Sequence, residues 1–123
     1  MTEAVFSSFS QSVRRLAEVL NEPKSVVIRD SAIKRFELTF ELAWKSAKVY
    51  LGKKGIVCQS PRDCLMAIFR LGLIPDSPLW LRMIQDRNLA VHTYNEKLAE
   101  DLYSRLREYL LLFGELRSAL EKE

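Results

Sequence analysis

The sequence predicts an all-α fold, an antiparallel up-and-down bundle of four main helices plus one short helix. Apolar residues recur at intervals of three and four along most of the chain, which is the spacing of amphipathic helices. Glycine and proline number only four each, and Ser-Pro or Thr-x-x-Glu sequences stand where helices would begin. The 123 residues suit a single domain with one core, spanning 1–123.

The first helix is predicted from an apolar stripe that stops before a proline. Thr2 can cap its start, and Asn21 and Pro23 mark its end. The residues of the stripe are Phe6, Phe9, Val13, Leu16 and Leu20. This spacing places all five on one face of the helix, which we expect to face the core.

The second helix is longer and is expected to start near Asp30. Gly52 and Gly55 supply its end, since glycine is favoured just after a helix. On its outer face, Glu41 is expected to pair with Lys45, four residues later. Its apolar stripe contains Ile33, Phe36, Phe40, Ala43, Trp44, Ala47 and Leu51.

Two Ser-Pro sequences start the next two helices. Ser60 is a good cap for a short third helix that ends near Gly72. Ser77 plays the same part for a fourth helix, and in both cases proline occupies the first helical position. We expect Trp80 of the fourth helix and Trp44 of the second to lie in the core.

The last helix is long, and its start is predicted from a capping box. Thr93 and Glu96 form T-x-x-E, in which the threonine side chain caps the helix. The apolar stripe that follows contains Leu98, Leu102, Leu106, Tyr109, Phe113, Leu116 and Leu120. We expect this helix to pair along its length with the second one.

The segment RNLAVHTY, residues 87–94, contains the chain's one histidine. On one continuous helix, Arg87 and His92 would lie roughly 140° apart, because each residue turns the chain by about 100°. If Thr93 caps the last helix, the interval instead spans a junction between two helices. A bend there could turn both side chains toward one place. Because no glycine or proline interrupts 87–94, a continuous helix is the alternative.

Composition excludes several classes of protein. No basic segment followed by an apolar run opens the chain, and the longest apolar run, Tyr109–Phe113, is too short to span a bilayer, so we expect a soluble cytoplasmic protein. Cys58 and Cys64 lack metal-site spacing and are expected to be structural thiols. The only β-like pieces, Val26–Ile28 and Gly55–Cys58, are too short to make convincing strands.

The chemistry available at the junction suits a phosphodiester. A neutral His92 imidazole can take a proton from a ribose 2′-hydroxyl, because histidine titrates near neutral pH. The Arg87 guanidinium can bind phosphate oxygens as charge builds on them, and Asn88 can orient either group. Attack by a 2′-hydroxyl on the neighbouring phosphate needs no metal or other cofactor. RNA would therefore be cleaved and DNA spared.

Other interpretations of these residues stay open. A single histidine at a helix junction is usually structural, and Arg87 could be a salt-bridge residue paired with Asp86 or Glu96. The protein could then be a non-catalytic subunit that binds a nucleotide or another substrate. It could also be a helical dimer with no ligand at all.

Three stretches of sequence together resemble one family. They are RFELTFELAWKSAKVYL at 35–51, SPRDCLMAIFRLGLI at 60–74 and WLRMIQDRNLAVHTYNEKLA at 80–99. They are similar to the nucleotidyltransferase substrate-binding subunits of the HEPN superfamily. The combination of F-E-L-x-x-E-L-A-W-K with R-N-x-x-x-H-x-Y is a specific signature of that family. The resemblance covers nearly the whole chain.

The resemblance implies a fold, partners and site residues. It implies a helical bundle that forms a homodimer and pairs with a minimal nucleotidyltransferase made as a separate chain. In related toxin–antitoxin pairs, R-x-x-x-x-H is the active site of a metal-independent ribonuclease, and the two motifs of a dimer face one cleft. By position, Arg87 and His92 would be catalytic and Asn88 would assist them. Tyr94 would accept AMP from the nucleotidyltransferase, which would neutralise the toxin.

Overall fold

The computed structural model describes residues 3–122, which fold as a bundle of α-helices. The elements are α1 (Ala4–Leu20), α2 (Val26–Lys53), α3 (Pro61–Arg70), α4 (Pro78–Leu89), a 3-10 turn (Ala90–His92) and α5 (Glu96–Glu121). No strand occurs within 3–122, so the predicted all-α class is confirmed. None of these helices combines the length and the hydropathy needed to cross a bilayer.

Helix α2 starts earlier than predicted, at Val26 instead of near Asp30. The Ser25 hydroxyl accepts a hydrogen bond from the Ile28 N–H at 3.0 Å and caps the helix. The β-branched segment Val26–Ile28 is therefore the first turn of a helix, in agreement with the expectation that it forms no strand. The cap and the following helix outweigh the weak strand preference of its residues.

Most of the other helix ends agree with the sequence patterns, apart from the starts of α1 and α5. Ser60 caps α3 and Ser77 caps α4, each through a side-chain hydrogen bond. After α2, Gly55 adopts a φ of +79°, a conformation that glycine reaches without strain. Gly72 does the same after α3, with a φ of +71°. The predicted cap of α1, Thr2, lies outside the described residues; the N-cap position of α1 is Glu3, whose side chain makes no capping hydrogen bond.

The start of α5 differs from the prediction. Asn95 is its N-cap, and the Asn95 Oδ1 atom accepts a hydrogen bond from the Leu98 N–H at 3.1 Å. Thr93 has a helical backbone conformation, φ −71° and ψ −4°, whereas an N-cap has extended angles. The 3-10 turn explains the difference, because it is closed by a hydrogen bond from the Asn95 N–H to the His92 carbonyl. The T-x-x-E capping box is therefore not used.

Replacing Asn95 by alanine should test this assignment. We expect Asn95→Ala to lower the free energy of unfolding by about 1 kcal/mol, the usual effect of losing an N-cap. The matched control, Thr93→Ala, should change it by less than about 0.5 kcal/mol, as a surface substitution does. Urea unfolding followed by circular dichroism measures both. A larger loss in Thr93→Ala than in Asn95→Ala would restore the capping box.

The aromatic centre of the core lies around Phe113 of α5. Its ring packs against Phe9 of α1 at 6.3 Å, Phe36 of α2 at 6.2 Å and Trp80 of α4 at 6.1 Å between ring centroids. Edge-on and tilted aromatic contacts of this kind stabilise beyond the burial of area alone. The predicted stripe of α5 is buried throughout except for Leu98, which is half-buried. Four helices thus meet at one residue.

Helices α2 and α5 pair as predicted, and their contacts show that they run parallel. Arg29 near the start of α2 bonds Glu96 and Glu100 at the start of α5, and further along Phe36 stacks on Tyr109 at 5.5 Å. Arg29 is only 2% exposed. Its guanidinium lowers the pKa of Glu96 by direct hydrogen bonding. This buried arginine therefore fixes the start of α5, close to the 3-10 turn, on α2.

Cys58 and Cys64 are joined by a disulfide, which corrects the expectation of structural thiols. Both residues are buried, Cys58 in the connection after α2 and Cys64 in the first turn of α3. Their Cα atoms lie 5.2 Å apart, within the range that a disulfide spans. Cys58 lies between the turn at Gly55 and the start of α3 at Pro61. The bond therefore holds this connection to the helix that follows it.

Candidate functional site

The predicted junction between Arg87 and His92 exists. Arg87 lies in the last turn of α4, and His92 is the last residue of the 3-10 turn. Ala90 is 3% exposed and packs the turn onto the core, whereas Val91 is 68% exposed. The change from an α-helix to a 3-10 turn alters the rotation per residue. The angle of about 140° for a continuous helix therefore does not apply here.

Arg87 is held by side chains of α2. The Arg87 Nη1 donates to Glu41 Oε1 at 2.6 Å, and the guanidinium lies over the Phe40 ring at 5.1 Å from its centroid. The Arg87 side chain is 31% exposed and that of Glu41 34%. The pairs that the sequence suggested for Arg87, with Asp86 or Glu96, do not form. The expected pair between Glu41 and Lys45 is likewise replaced by Glu41 with Arg87.

Asp86 instead fixes α4 to α5. Its carboxylate accepts from Arg105 Nε at 2.7 Å and Arg105 Nη2 at 2.9 Å, and also from the Tyr109 hydroxyl. That hydroxyl in turn accepts from Arg82 Nε at 2.9 Å. Burial, with the bond to Asp86, raises the pKa of Tyr109 to about 12. Asp86 is 3% exposed, so these bonds form inside the bundle and hold the last turns of α4 in place.

His92 and Tyr94 form a pair at the surface. The His92 Nδ1 lies 3.2 Å from the Tyr94 hydroxyl oxygen, and the two rings meet edge to face. Tyr94 is 81% exposed. If Nδ1 donates its proton to the tyrosine oxygen, Nε2 keeps a lone pair, which is the form that a general base requires. The tyrosine can therefore set the tautomer of the histidine.

The four predicted site residues are thus only partly brought together. Asn88 is exposed in the last turn of α4, and its side chain makes no hydrogen bond within the described part of the chain. Arg87 and His92 are not hydrogen-bonded to each other. Within residues 3–122, no group of three or more histidine, cysteine, aspartate or glutamate residues is placed to hold a metal ion. The site therefore consists of two pairs, Arg87 with Glu41 and His92 with Tyr94.

The part that α2 plays in this site does not follow from the sequence patterns. Those patterns predict Phe40 in the core, and Glu41 paired with a lysine on its own helix. Both contact Arg87, 46 residues after Glu41. No local spacing connects residues so far apart. The one available signal was that the F-E-L-x-x-E-L-A-W-K stretch and the R-N-x-x-x-H-x-Y stretch occur in the same chain.

Comparison with known proteins gives related sequences and structures. A family model described as nucleotidyltransferase substrate binding protein like matches residues 4–122. A Haemophilus influenzae protein named probable ribonuclease HepT is 27% identical over 119 residues, which cover 89% of this chain and 82% of that protein.

Two solved structures share the fold over nearly the full length. One, the crystal structure of a Thermus thermophilus protein, has a TM-score of 0.86 and 39% identity, covering 91% of this chain and 98% of that one. The other, from Haemophilus influenzae, is described as having the fold of a substrate binding domain of a nucleotidyltransferase. Its TM-score is 0.72 at 27% identity, covering 96% of this chain and 95% of that one.

Proposed function

Because the chain belongs to the nucleotidyltransferase substrate binding protein like family, we propose that it works beside a minimal nucleotidyltransferase made as a separate chain, and that it is itself a metal-independent endoribonuclease. The ribonuclease proposal depends on one observation, the placement of Arg87 and His92. Arg87 lies in the last turn of α4, and His92 ends the three-residue 3-10 turn that follows, with the imidazole at the surface beside a tyrosine hydroxyl. The similarity to a protein named probable ribonuclease supports the same reaction.

The reaction is a transesterification within the RNA strand. Nε2 of His92 takes the proton of a ribose 2′-hydroxyl, whose oxygen attacks the adjacent phosphorus atom. The bond from phosphorus to the 5′-oxygen breaks, and the imidazolium returns the proton to that leaving oxygen. Arg87 stabilises the charge on the phosphate oxygens, and Asn88 orients the strand. The products are a 2′,3′-cyclic phosphate and a free 5′-hydroxyl, and the scheme uses neither a metal nor a cofactor.

A homodimer would bring two such sites together. A cleft shared by two copies, as the family resemblance implies, would place two sets of Arg87 and His92 beside one strand. Large apolar side chains within the motif are exposed and would be covered in that dimer: Leu89 is 40% exposed and Val91 68%. We also propose that the protein acts in the cytoplasm, where RNA is made.

The purified protein should cleave single-stranded RNA in the presence of EDTA. We expect fragments ending in 2′,3′-cyclic phosphate, because the 2′-oxygen is the nucleophile, and mass spectrometry of the fragments measures this directly. DNA and 2′-O-methyl RNA of the same sequence are the matched controls and should stay intact. Cleavage that requires a divalent metal, or fragments with 5′-phosphate ends, would contradict the proposal.

Tyr94 is the proposed acceptor of AMP from the nucleotidyltransferase. Its hydroxyl oxygen would attack the α-phosphate of ATP and release pyrophosphate. The 81% exposure of the residue leaves room for the partner to approach. Because the same hydroxyl contacts His92, the modification would also remove the partner of the catalytic imidazole. The two proteins would then act as a toxin and its antitoxin.

Co-expression with the nucleotidyltransferase tests this modification. We expect a mass increase of one adenylyl group on the peptide that contains Tyr94, accompanied by loss of RNA cleavage. The Tyr94→Phe variant should remain unmodified, because it lacks the accepting oxygen. AMP attached to another residue, or an unmodified protein beside an active partner, would contradict the assignment.

A second candidate function is a non-catalytic subunit that binds a nucleotide or another substrate for the nucleotidyltransferase. One observation favours it, since the Glu41 carboxylate already occupies Nη1 of Arg87 and offsets its charge. Two measurements distinguish this alternative. The two chains would co-purify as a tight complex, and the protein would cleave no RNA.

A further inference from the structure

Two side chains of α2 contact the guanidinium of Arg87, and a third holds one of them. Phe40 lies under its face, 5.1 Å from the ring centroid, and Glu41 takes a hydrogen bond from Nη1 at 2.6 Å. The third, Trp44, donates its ring N–H to the other carboxylate oxygen of Glu41 at 3.3 Å. A chain of hydrogen bonds thus runs from the indole through the carboxylate to the arginine.

Position 41 stands between two donors. Nη1 of Arg87 and Nε1 of Trp44 can only donate, so the residue between them must offer two acceptors. An ionised carboxylate meets this demand with its two oxygens. The amide of glutamine cannot, because whichever way it turns, its NH₂ group faces one of the two donors. The charge and the shape of Glu41 are therefore both required by its neighbours.

The remaining nitrogens of Arg87 have different surroundings. Nε is buried and has no hydrogen-bond partner among the described residues. With Nη1 bonded to Glu41, Nη2 is left to meet a ligand. The direction in which this one nitrogen points depends on the rotamer of the whole side chain. Two contacts, with the Phe40 ring and the Glu41 carboxylate, hold that rotamer.

We propose that Glu41 is the positioning residue of the site: it fixes the guanidinium of Arg87 so that Nη2 faces the scissile phosphate, and Trp44 holds Glu41 for this task. The catalytic consequence rests on the ribonuclease function proposed above, whereas the arrangement of the three side chains does not. Glu41 contacts no substrate atom and acts through Arg87.

The Glu41→Gln variant measures the effect. We expect kcat for RNA cleavage to fall by about tenfold to a hundredfold, because small misplacements of a catalytic group have effects of this size. KM should not rise, since removing a carboxylate leaves more positive charge near the phosphate. Glu37→Gln is the matched control: it makes the same change one turn earlier on α2, at a half-buried residue that is not bonded to Arg87. Its kcat should equal that of the unmodified protein.

A second variant separates positioning from a general loss of structure. Trp44→Phe removes the indole donor and keeps a ring, so a glutamine at 41 can turn its carbonyl oxygen to Arg87 without opposing another donor. We expect the double variant Glu41→Gln/Trp44→Phe to recover kcat to within about threefold of Trp44→Phe alone, a non-additive result typical of residues in direct contact. A double variant that is slower than Glu41→Gln would overturn the proposal.

An NMR measurement, which does not depend on RNA cleavage, separates the positioning role of Glu41 from the ribonuclease function. The NMR cross-peak of the Arg87 Nε–H group should move and broaden in Glu41→Gln and sharpen again in the double variant. If the unmodified protein cleaves no RNA yet this signal behaves as expected, the ribonuclease function fails and Glu41 still positions Arg87. If kcat and the signal are both unchanged in Glu41→Gln, the positioning proposal is overturned.

Discussion

Replacing His92 by alanine is expected to lower the rate of RNA cleavage by about 10²–10⁴-fold, the usual contribution of a general acid–base catalyst. The imidazole is the one group in the site that can both take the 2′-hydroxyl proton and return it near neutral pH. Single-turnover cleavage of a fluorescent RNA in EDTA measures the rate. At a saturating protein concentration, the observed rate reports the chemical step and not RNA binding.

The stability of the variant serves as the first control. His92 is exposed, so His92→Ala should change the free energy of unfolding by no more than about 0.5 kcal/mol. Lys97→Ala is the matched activity control, because Lys97 is exposed near the junction, five residues after His92, and its ammonium pairs with Asp101. It should cleave RNA at the unmodified rate. Equal cleavage by His92→Ala and the unmodified protein would remove the ribonuclease function.

Replacing Asp86 by alanine should cause the largest loss of stability, about 3 kcal/mol, because it removes one partner of a buried, hydrogen-bonded charge pair. Arg105 and the Tyr109 hydroxyl would both lose their acceptor. The expected loss of unfolding free energy is at the low end of the range for buried ion pairs, because the Arg105 side chain is 27% exposed and water can reach it. Urea unfolding followed by tryptophan fluorescence measures the change.

Asp101→Ala is the matched control for this substitution. Asp101 also forms an ion pair, with Lys97 at 3.2 Å, but the two side chains are 44% and 83% exposed. Exposed pairs of this kind contribute between zero and about 1 kcal/mol. If the two variants lose similar stability, the bonds of Asp86 do not hold α4 to α5 in the way described above.

Local sequence signals predicted most of the helices. The Ser60-Pro and Ser77-Pro starts depend on contacts within three residues, and the structure contains both caps. The break between Arg87 and His92 was also predicted, although from the wrong residue. Thr93 and Asn95 are both good cap residues, and the choice between them is made by the 3-10 turn. Sequence spacing alone does not reveal such a turn.

The rest of the site depends on contacts between distant parts of the chain. Glu41 and Arg87 are 46 residues apart, and Arg29 and Glu96 are 67 residues apart. Charged residues are numerous, so the sequence alone allows many alternative ion pairs and does not distinguish among them. Only the packing of α2 against α4 and α5 selects among them. The disulfide between Cys58 and Cys64 was missed for a related reason, because it depends on where the connection after α2 returns to α3.

The parallel pairing of α2 with α5 has a consequence for how the molecule matures during synthesis. Helices α1 and α2 are neighbours joined by the short connection 21–25, so they can associate as a hairpin early, while the ribosome is still adding later residues. Helix α5 must then dock onto that hairpin to close a long loop, which is the slower event. Until it docks, Asp86 lacks Arg105 and the start of α5 lacks Arg29. We therefore expect a nascent chain to be inert toward RNA until its final helix is in place.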